Sequence, residues 1–219
     1  MERAYDESYR YERIKLSTDI LEQIIFKEEM GCKHIVFSGL TLRKLDLSEV
    51  DFAGVDITST DLSYTNANIN PQTVYRKSLY CANLAGLDLS GKDFTDVYIK
   101  MANLSNTGAN IDPQTVKNKS IYGTNLSGLY LGDKDFTNVY ITMANLSNTE
   151  ADIDPQKILF KSLAGTNLTG LNLYNKDFTG VSIYGANLRN TGAKTEEEIM
   201  DKFIGTVKKL VKARNTKAN

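Results

Sequence analysis

The chain has 219 residues, 41% hydrophobic and 24% charged, an ordinary globular composition that excludes gross disorder. Its 26 Lys and Arg against 27 Asp and Glu leave a net charge of -1, so the totals show neither a polyanion-binding protein nor a heavily acidic one. Two cysteines, Cys32 and Cys81, rule out a disulfide framework, and no apolar run approaches the roughly 20 residues of a membrane helix. The opening Met1 to Glu7 has no apolar signal core, so a reducing cytoplasm is the expected compartment and no membrane association is expected.

The first element, residues 1–34, reads as an N-terminal arm and helical cap. Residues 1–16 are polar and tyrosine-rich, and Ser17 to Asp19 then precede Ile20, Leu21, Ile24 and Ile25, with Gly31 beyond. That pattern predicts a short amphipathic helix.

The second element, residues 35–193, is an internal repeat. Residues 78–119 align without gaps on 120–161, with 27 of 42 positions identical, and weaker copies lie in register on either side. Large apolar residues recur every five positions: Leu84, Leu89, Phe94, Ile99, Leu104. Neither a helix nor a flat strand has that period. One step of seven per copy, as from Leu104 to Ile111, makes 42 equal to eight fives plus two. Eight fives give two turns of a four-sided coil.

Sorting the thirty centres from Phe37 to Leu188 into four columns tests the idea. The first column is leucine throughout, from Leu42 through Leu84 and Leu126 to Leu188. The second alternates Leu and Ile; the third alternates Phe52, Phe94, Phe136 and Phe178 with Val74, Val116 and Ile158; the fourth is dominated by Ile, as at Ile57, Ile99 and Ile141. Such sorting is expected where like residues stack in adjacent rungs of a solenoid. At the inward position two before each centre, Ala67, Ala82, Ala102 and Thr124 are small, but the third and fourth columns carry Gln72, Lys77, Lys92, Gln114, Lys119, Lys134, Gln156, Lys161 and Lys176. A sealed ammonium is costly, so these lysines are expected to turn outward with local loss of regular geometry, at a distorted corner.

Units such as Ala82-Asn83-Leu84, Ala102-Asn103-Leu104, Ala144-Asn145-Leu146 and Ala186-Asn187-Leu188 resemble the pentapeptide-repeat family. The resemblance covers about 37–190 and implies an all-β solenoid, a right-handed quadrilateral β-helix. Thirty sides make about 7.5 coils, and a rung spacing of about 4.8 Å gives a rod roughly 36 Å long.

The third element, residues 194–219, opens with a capping box at Thr195 to Glu198 and continues as an apolar stripe from Ile199 to Val211. It is expected to form a helical cap over the last coil, because an open β-helix exposes strand edges. The protein is then a monomer, or a homodimer through a cap as in family members that pair by their carboxyl ends.

Chemistry is sparse. A lone His34, just before the first coil, gives no triad and reads as structural. Asp152 and Asp154 flank Ile153, as Asn110 and Asp112 flank Ile111, but two ligands are not a metal site. Neither a catalytic residue nor a cofactor or metal is expected, and the chain is read as no enzyme. Cys81 has no basic neighbours of the kind that activate a thiol.

Two surfaces compete for function. Tyr80, Tyr98, Tyr122 and Tyr140 occupy outward positions beside fourth-column centres on four successive rungs, a stripe of roughly 14 Å, and Tyr184 continues it past Ala164. Tyrosine suits an interface because it joins a rigid apolar body to a polar tip. The expected function is a non-catalytic scaffold for protein–protein interaction, with a protein partner that the residues do not name. The alternative follows from the resemblance: some family members bind type II topoisomerases as mimics of DNA and confer quinolone resistance. An acidic face at Asp51, Asp93, Asp135 and Asp177 would carry that role. Against it, 15 acids and 13 bases in residues 35–193 leave only -2, Lys92, Lys134 and Lys176 recur among the acids, and no long loop projects. Direct nucleic-acid binding is not expected.

Overall fold

Side chains that point inward at every fifth residue force the backbone to turn a corner between one centre and the next. The computed structural model describes residues 35–193, and it shows how these corners are made. The third residue after a centre donates its N–H back to the centre's carbonyl, as Leu40 does to Phe37, Leu87 to Leu84 and Ala102 to Ile99, at 2.9–3.1 Å. The residue between them, two past the centre, takes a positive φ: Gly39, Gly86 and Met101 stand at 81°, 74° and 63°. That is the requirement of a type II turn, and it explains the many Gly and Asn residues at this position. The predicted helices, Cys32 and His34 lie outside the described residues.

Successive coils pair in parallel. Along the first column, bridges join Thr41 to Asp61, Asp61 to Asn83, Asn83 to Asn103, and so on to Asn167 and Asn187. The spacing alternates between 20 (61 minus 41) and 22 (83 minus 61), which is two coils per 42 residues. Each first-column leucine from Leu42 to Leu168 donates its N–H to the next rung, for example Leu84 to Asn103 at 2.8 Å and Leu104 to Asn125 at 2.9 Å. Outward Asn83, Asn103, Asn125 and Asn145 accept the N–H two residues on through Oδ1, closing a second turn at each rung. The architecture is a quadrilateral β-helix.

Every centre from Phe52 to Leu173 is buried, whereas Phe37, Leu47, Phe178, Ile183 and Leu188 near the ends of the described rod are partly covered. Each fully enclosed leucine or isoleucine contributes about 1.5–3 kcal/mol relative to an exposed one. The two inserted residues per repeat are absorbed between the first and second columns. There Thr107 and Thr149 donate Oγ1 to the carbonyls of Leu104 and Leu146 at 2.8 and 2.7 Å. Their own carbonyls accept the N–H of Leu89 and Leu131 from the preceding coil, both at 2.8 Å.

The expected distorted corner lies between the third and fourth columns, in alternate coils. Short 3₁₀ turns span Tyr75–Lys77, Lys117–Lys119 and Leu159–Lys161. Each ends on two consecutive left-handed residues, such as Asn118 and Lys119 at 59° and 47°, which swings the lysine out of the tube. Lys119 and Lys161 are exposed and Lys77 is half-buried. The glutamines are a different matter, because they mend the wall that these turns open. Gln72, Gln114 and Gln156 each donate Nε2 to two carbonyls of the following coil: Asp93 and Thr95, Asp135 and Thr137, Asp177 and Thr179, at 2.8–3.2 Å. No buried side-chain polar atom among the described residues lacks a partner.

Candidate interaction faces

The fourth face is built by residues on either side of its centres. Tyr98 and Tyr140 precede Ile99 and Ile141 on the bridged strand positions, while Tyr80 and Tyr122 follow Leu79 and Ile121. This offset lets each tyrosine lie against one from the next coil. Tyr80 stacks on Tyr98 with ring centres 5.7 Å apart and planes 17° apart, and Tyr122 stacks on Tyr140 at 5.3 Å and 22°. The stripe is therefore two stacked pairs, one per 42-residue repeat. Between them, Lys100 holds its ammonium 4.6 Å from the centre of the Tyr122 ring.

Tyr98, Tyr122 and Tyr140 are half-buried, Tyr80 is exposed and Tyr184, past the small Ala164, is 85% exposed. A hydrogen bond with Cys81 raises the Tyr80 phenol above its ordinary value. The Tyr122 hydroxyl donates to Met143 Sδ at 3.0 Å.

The structure adds residues that the five-residue pattern left out. Phe160 is 77% exposed at the left-handed corner and meets Tyr140 edge-on at 5.9 Å. Met101 and Met143, also in left-handed corners, are exposed, and each lies over the glycine of the next coil, Gly123 and Gly165. A sequence signal for them existed. Large apolar residues at positions that elsewhere hold Gly, Asn or Ser have no reason of their own to be there.

The acids of the third face have local work. Asp51, Asp93, Asp135 and Asp177 are all exposed, and each accepts through Oδ1 the N–H two residues on, at 2.8–2.9 Å. Hydrogen bonds from Thr95, Thr137 and Thr179 hold Asp93, Asp135 and Asp177 below the usual carboxylate range. The neighbouring charges push the same way, but they are not the lysines that sequence position suggests. Lys77 stands by Asp93, Lys157 and Lys119 by Asp135, and Lys161 by Asp177. Lys92 instead donates to Asn68, Lys134 pairs with Asp133 at 3.1 Å, and Lys176 pairs with Asp152 at 2.6 Å.

A shallow cavity of about 290 Å³ opens here, lined by Asp133, Lys134, Asp135, Asp152, Asp154 and Lys157 among others. Asp154 is used by the N–H of Gln156 at 3.0 Å and by Lys157 at 3.4 Å. No group of three or more His, Cys, Asp or Glu residues suited to a metal is found among the described residues. Nor is any helix among them long and apolar enough to cross a membrane.

The four columns, the type II corners and the 20- and 22-residue rungs define a pentapeptide solenoid. The family model described as pentapeptide repeats matches eight copies, over residues 33–68 and 162–191. The same coil runs unbroken between the two matched stretches, so the chain carries pentapeptide repeats towards both ends of one continuous coil. Among solved structures it is similar to trypsin-treated QnrB1, described as a plasmid-mediated fluoroquinolone resistance protein, at 20% identity and a TM-score of 0.32. That match covers 61% of this chain and 57% of QnrB1, so the chain spans less than two thirds of it. It is also similar to HetL, described as a pentapeptide repeat protein involved in heterocyst differentiation regulation, from the cyanobacterium Nostoc. There the identity is 18%, the TM-score 0.26, and the coverage 74% of this chain and 90% of HetL. No curated protein matches the chain.

Proposed function

We propose that the chain is a non-catalytic scaffold that binds a protein partner through the aromatic fourth face. The observation that carries this reading is the exposure of aromatic rings beyond the needs of the coil. Phe160 and Tyr184 show 77% and 85% of their surface, beside two stacked tyrosine pairs. Exposed apolar residues scattered singly need no explanation, whereas a contiguous patch marks an interaction site. The test is capture of partners from native lysate by the parent protein and by a variant with Tyr98, Tyr122 and Tyr140 changed to Ser. The reading expects a specific band that the triple variant loses; equal capture by both would defeat it.

The topoisomerase-mimic alternative has less support. Its residues Asp93, Asp135 and Asp177 are turn-closing groups, each with a lysine beside it. Their row repeats every two coils, about 9.6 Å, against 3.4 Å between phosphates along one DNA strand.

For the whole chain we infer a right-handed rod of 7.5 coils over residues 35–193, closed by helical caps at 1–34 and 194–219. Removing 195–219 is then expected to cause association, seen as a larger hydrodynamic size in light scattering. A truncated protein as monodisperse as the parent would remove the cap from this account.

A further inference from the structure

Residues 42 apart hold the same place in successive copies, so the repeat supplies its own comparison. Just after a fourth-column centre that place holds Tyr80, then Tyr122, then Ala164, and on the following coil stand Tyr98, Tyr140 and Ser182. The third copy thus lacks both rings of the stacked pair. Its backbone is unchanged. The carbonyl of Ala164 accepts the N–H of Met143 at 2.9 Å, as those of Tyr80 and Tyr122 accept from Ser59 and Met101 at 2.8 and 2.9 Å. The N–H of Ala164 donates to Ser162 Oγ at 3.4 Å, as those of Tyr80 and Tyr122 donate to Ser78 and Ser120. Only the side chains differ, so the wall at Ala164 is lower by the bulk of a ring.

Aromatic residues return in the third copy at places where the others have none. Arg76 and Asn118 give way to Phe160, and Lys100 and Thr142 give way to Tyr184. These two rings are 77% and 85% exposed, whereas Tyr98, Tyr122 and Tyr140 are half-buried. Phe160 stands at a φ of 59°, in the left-handed region that suits Asn118 and is unusual for a bulky residue. It meets Tyr140 by its edge, and among the described residues no ring stacks on Tyr184.

The geometry fixes the size of what is missing. The Tyr184 carbonyl accepts the N–H of Gly165 at 2.8 Å, which puts Tyr184 on the coil next to Ala164, one rung or about 4.8 Å away. Rings on adjacent rungs of this face have centres 5.3 and 5.7 Å apart, so a single flat ring placed over Ala164 reaches stacking distance of Tyr184. Ser162, Ala164 and Ser182 around it are uncharged. The nearest lysines are engaged, Lys157 by Asp154 and Lys161 by Gln156 with Asp177 beside it. A neutral ring suits this setting better than a base that brings phosphates in need of cations.

We propose that the place vacated at Ala164 receives one aromatic side chain of the protein partner. That ring lies on Tyr184, is flanked by Phe160, and restores from outside the ring that the first two copies carry themselves. The inference rests on the reading of the fourth face as the partner surface, and it supplies the kind of aromatic anchor that dominates interfaces.

The probe is N-acetyltyrosinamide, titrated into the full chain labelled with carbon-13 at its alanine methyl groups, the Ala164 signal being identified by its loss in Ala164→Ser. A saturable upfield shift of that signal is expected, because a ring laid over the methyl group shields it. Equal concentrations of N-acetylleucinamide should not displace the probe. Tyr184→Thr and Phe160→Asn install the residues of the second copy, so the coil is kept, and each should weaken the probe between about two- and tenfold. No saturable shift, equal displacement by the leucine compound, or unchanged affinity in both variants overturns the proposal. So does tighter binding of adenosine at the same methyl group, which would assign the place to a nucleobase. An Ala164 signal already shielded in the free protein and unmoved by the probe also overturns it, since a ring of this chain would then fill the place. If the probe fails while the Tyr98, Tyr122 and Tyr140 triple variant still loses its captured partner, this inference falls and the scaffold reading stands; if capture is also unchanged, both fall.

Discussion

Replacing Gln114 by Met keeps the length of the side chain and removes its two donors. In the parent, Nε2 reaches the carbonyls of Asp135 and Thr137 at 3.1 and 2.8 Å, across a stretch of the third face where no backbone bond is seen between these two rungs. Elsewhere on that face backbone amides do this work, as when Asp96 donates to Thr115 at 2.9 Å and Asn138 to Lys157 at 2.8 Å. A net hydrogen bond is worth about 0.5–1.5 kcal/mol, and the orphaned carbonyls of an outer wall regain water, so the cost sits toward the lower end, about 1–2 kcal/mol. Gln72 and Gln156 occupy the same site two coils away on either side, far enough apart for the effects to add to about 3–6 kcal/mol in the triple variant. Urea denaturation followed by circular dichroism measures the loss. A triple Met variant within about 0.5 kcal/mol of the parent would show that water serves these carbonyls equally well and that the amides are not staples.

Other perturbations give distinct outcomes. Phe136→Ala empties a site that is 3% exposed between the rungs of Val116 and Ile158, and about 3–5 kcal/mol should be lost; a change under about 1 kcal/mol in a denaturation series contradicts the column assignment. Asp93, Asp135 and Asp177 have carboxyl groups held below their usual value of 3.8, so they contribute stability that is complete above that value and fades as pH falls through the lower folded-state values. Changing all three to Asn keeps the turn acceptor and removes the titration, so the acid limb of a stability-against-pH curve should flatten; an unchanged limb refutes this. In a supercoiling assay with purified gyrase, no inhibition is expected at low micromolar protein. Potent inhibition that survives the tyrosine triple and disappears in the aspartate triple would establish the mimic instead.

The repeat made much of the coil readable without coordinates. A period of five sorts Leu84, Leu104 and Leu126 into one column, and the backbone has little choice once those side chains share an interior. The step of seven was visible too, although its repair by Thr107 and Thr149 was not, because a threonine reads alike in any turn. The glutamines were legible as exceptions and not as staples. Their partners are carbonyls, which every residue has, so no side-chain pattern marks them. On the surface, positions were readable and pairings were not. Which lysine reaches which aspartate depends on the 3₁₀ turns that carry Lys77, Lys119 and Lys161 outward, and the stacking of Tyr122 on Tyr140 depends on an offset between coils that a column chart flattens. Phe160 was legible as an apolar residue at a turn position, but its exposure was not: its corner stands out because two left-handed residues end the turn.

That the fourth face meets the partner is tested most directly by a photo-crosslinker placed at single sites and activated in native lysate. Ala164, between Tyr140 and Tyr184, reports on the aromatic face; Ser127 reports on the first face, where Asn125 and its neighbours form a smooth polar ladder; Thr137 reports on the acidic third face. The account predicts a discrete crosslinked species from position 164 alone. The same species from 127 or 137, with none from 164, would contradict it.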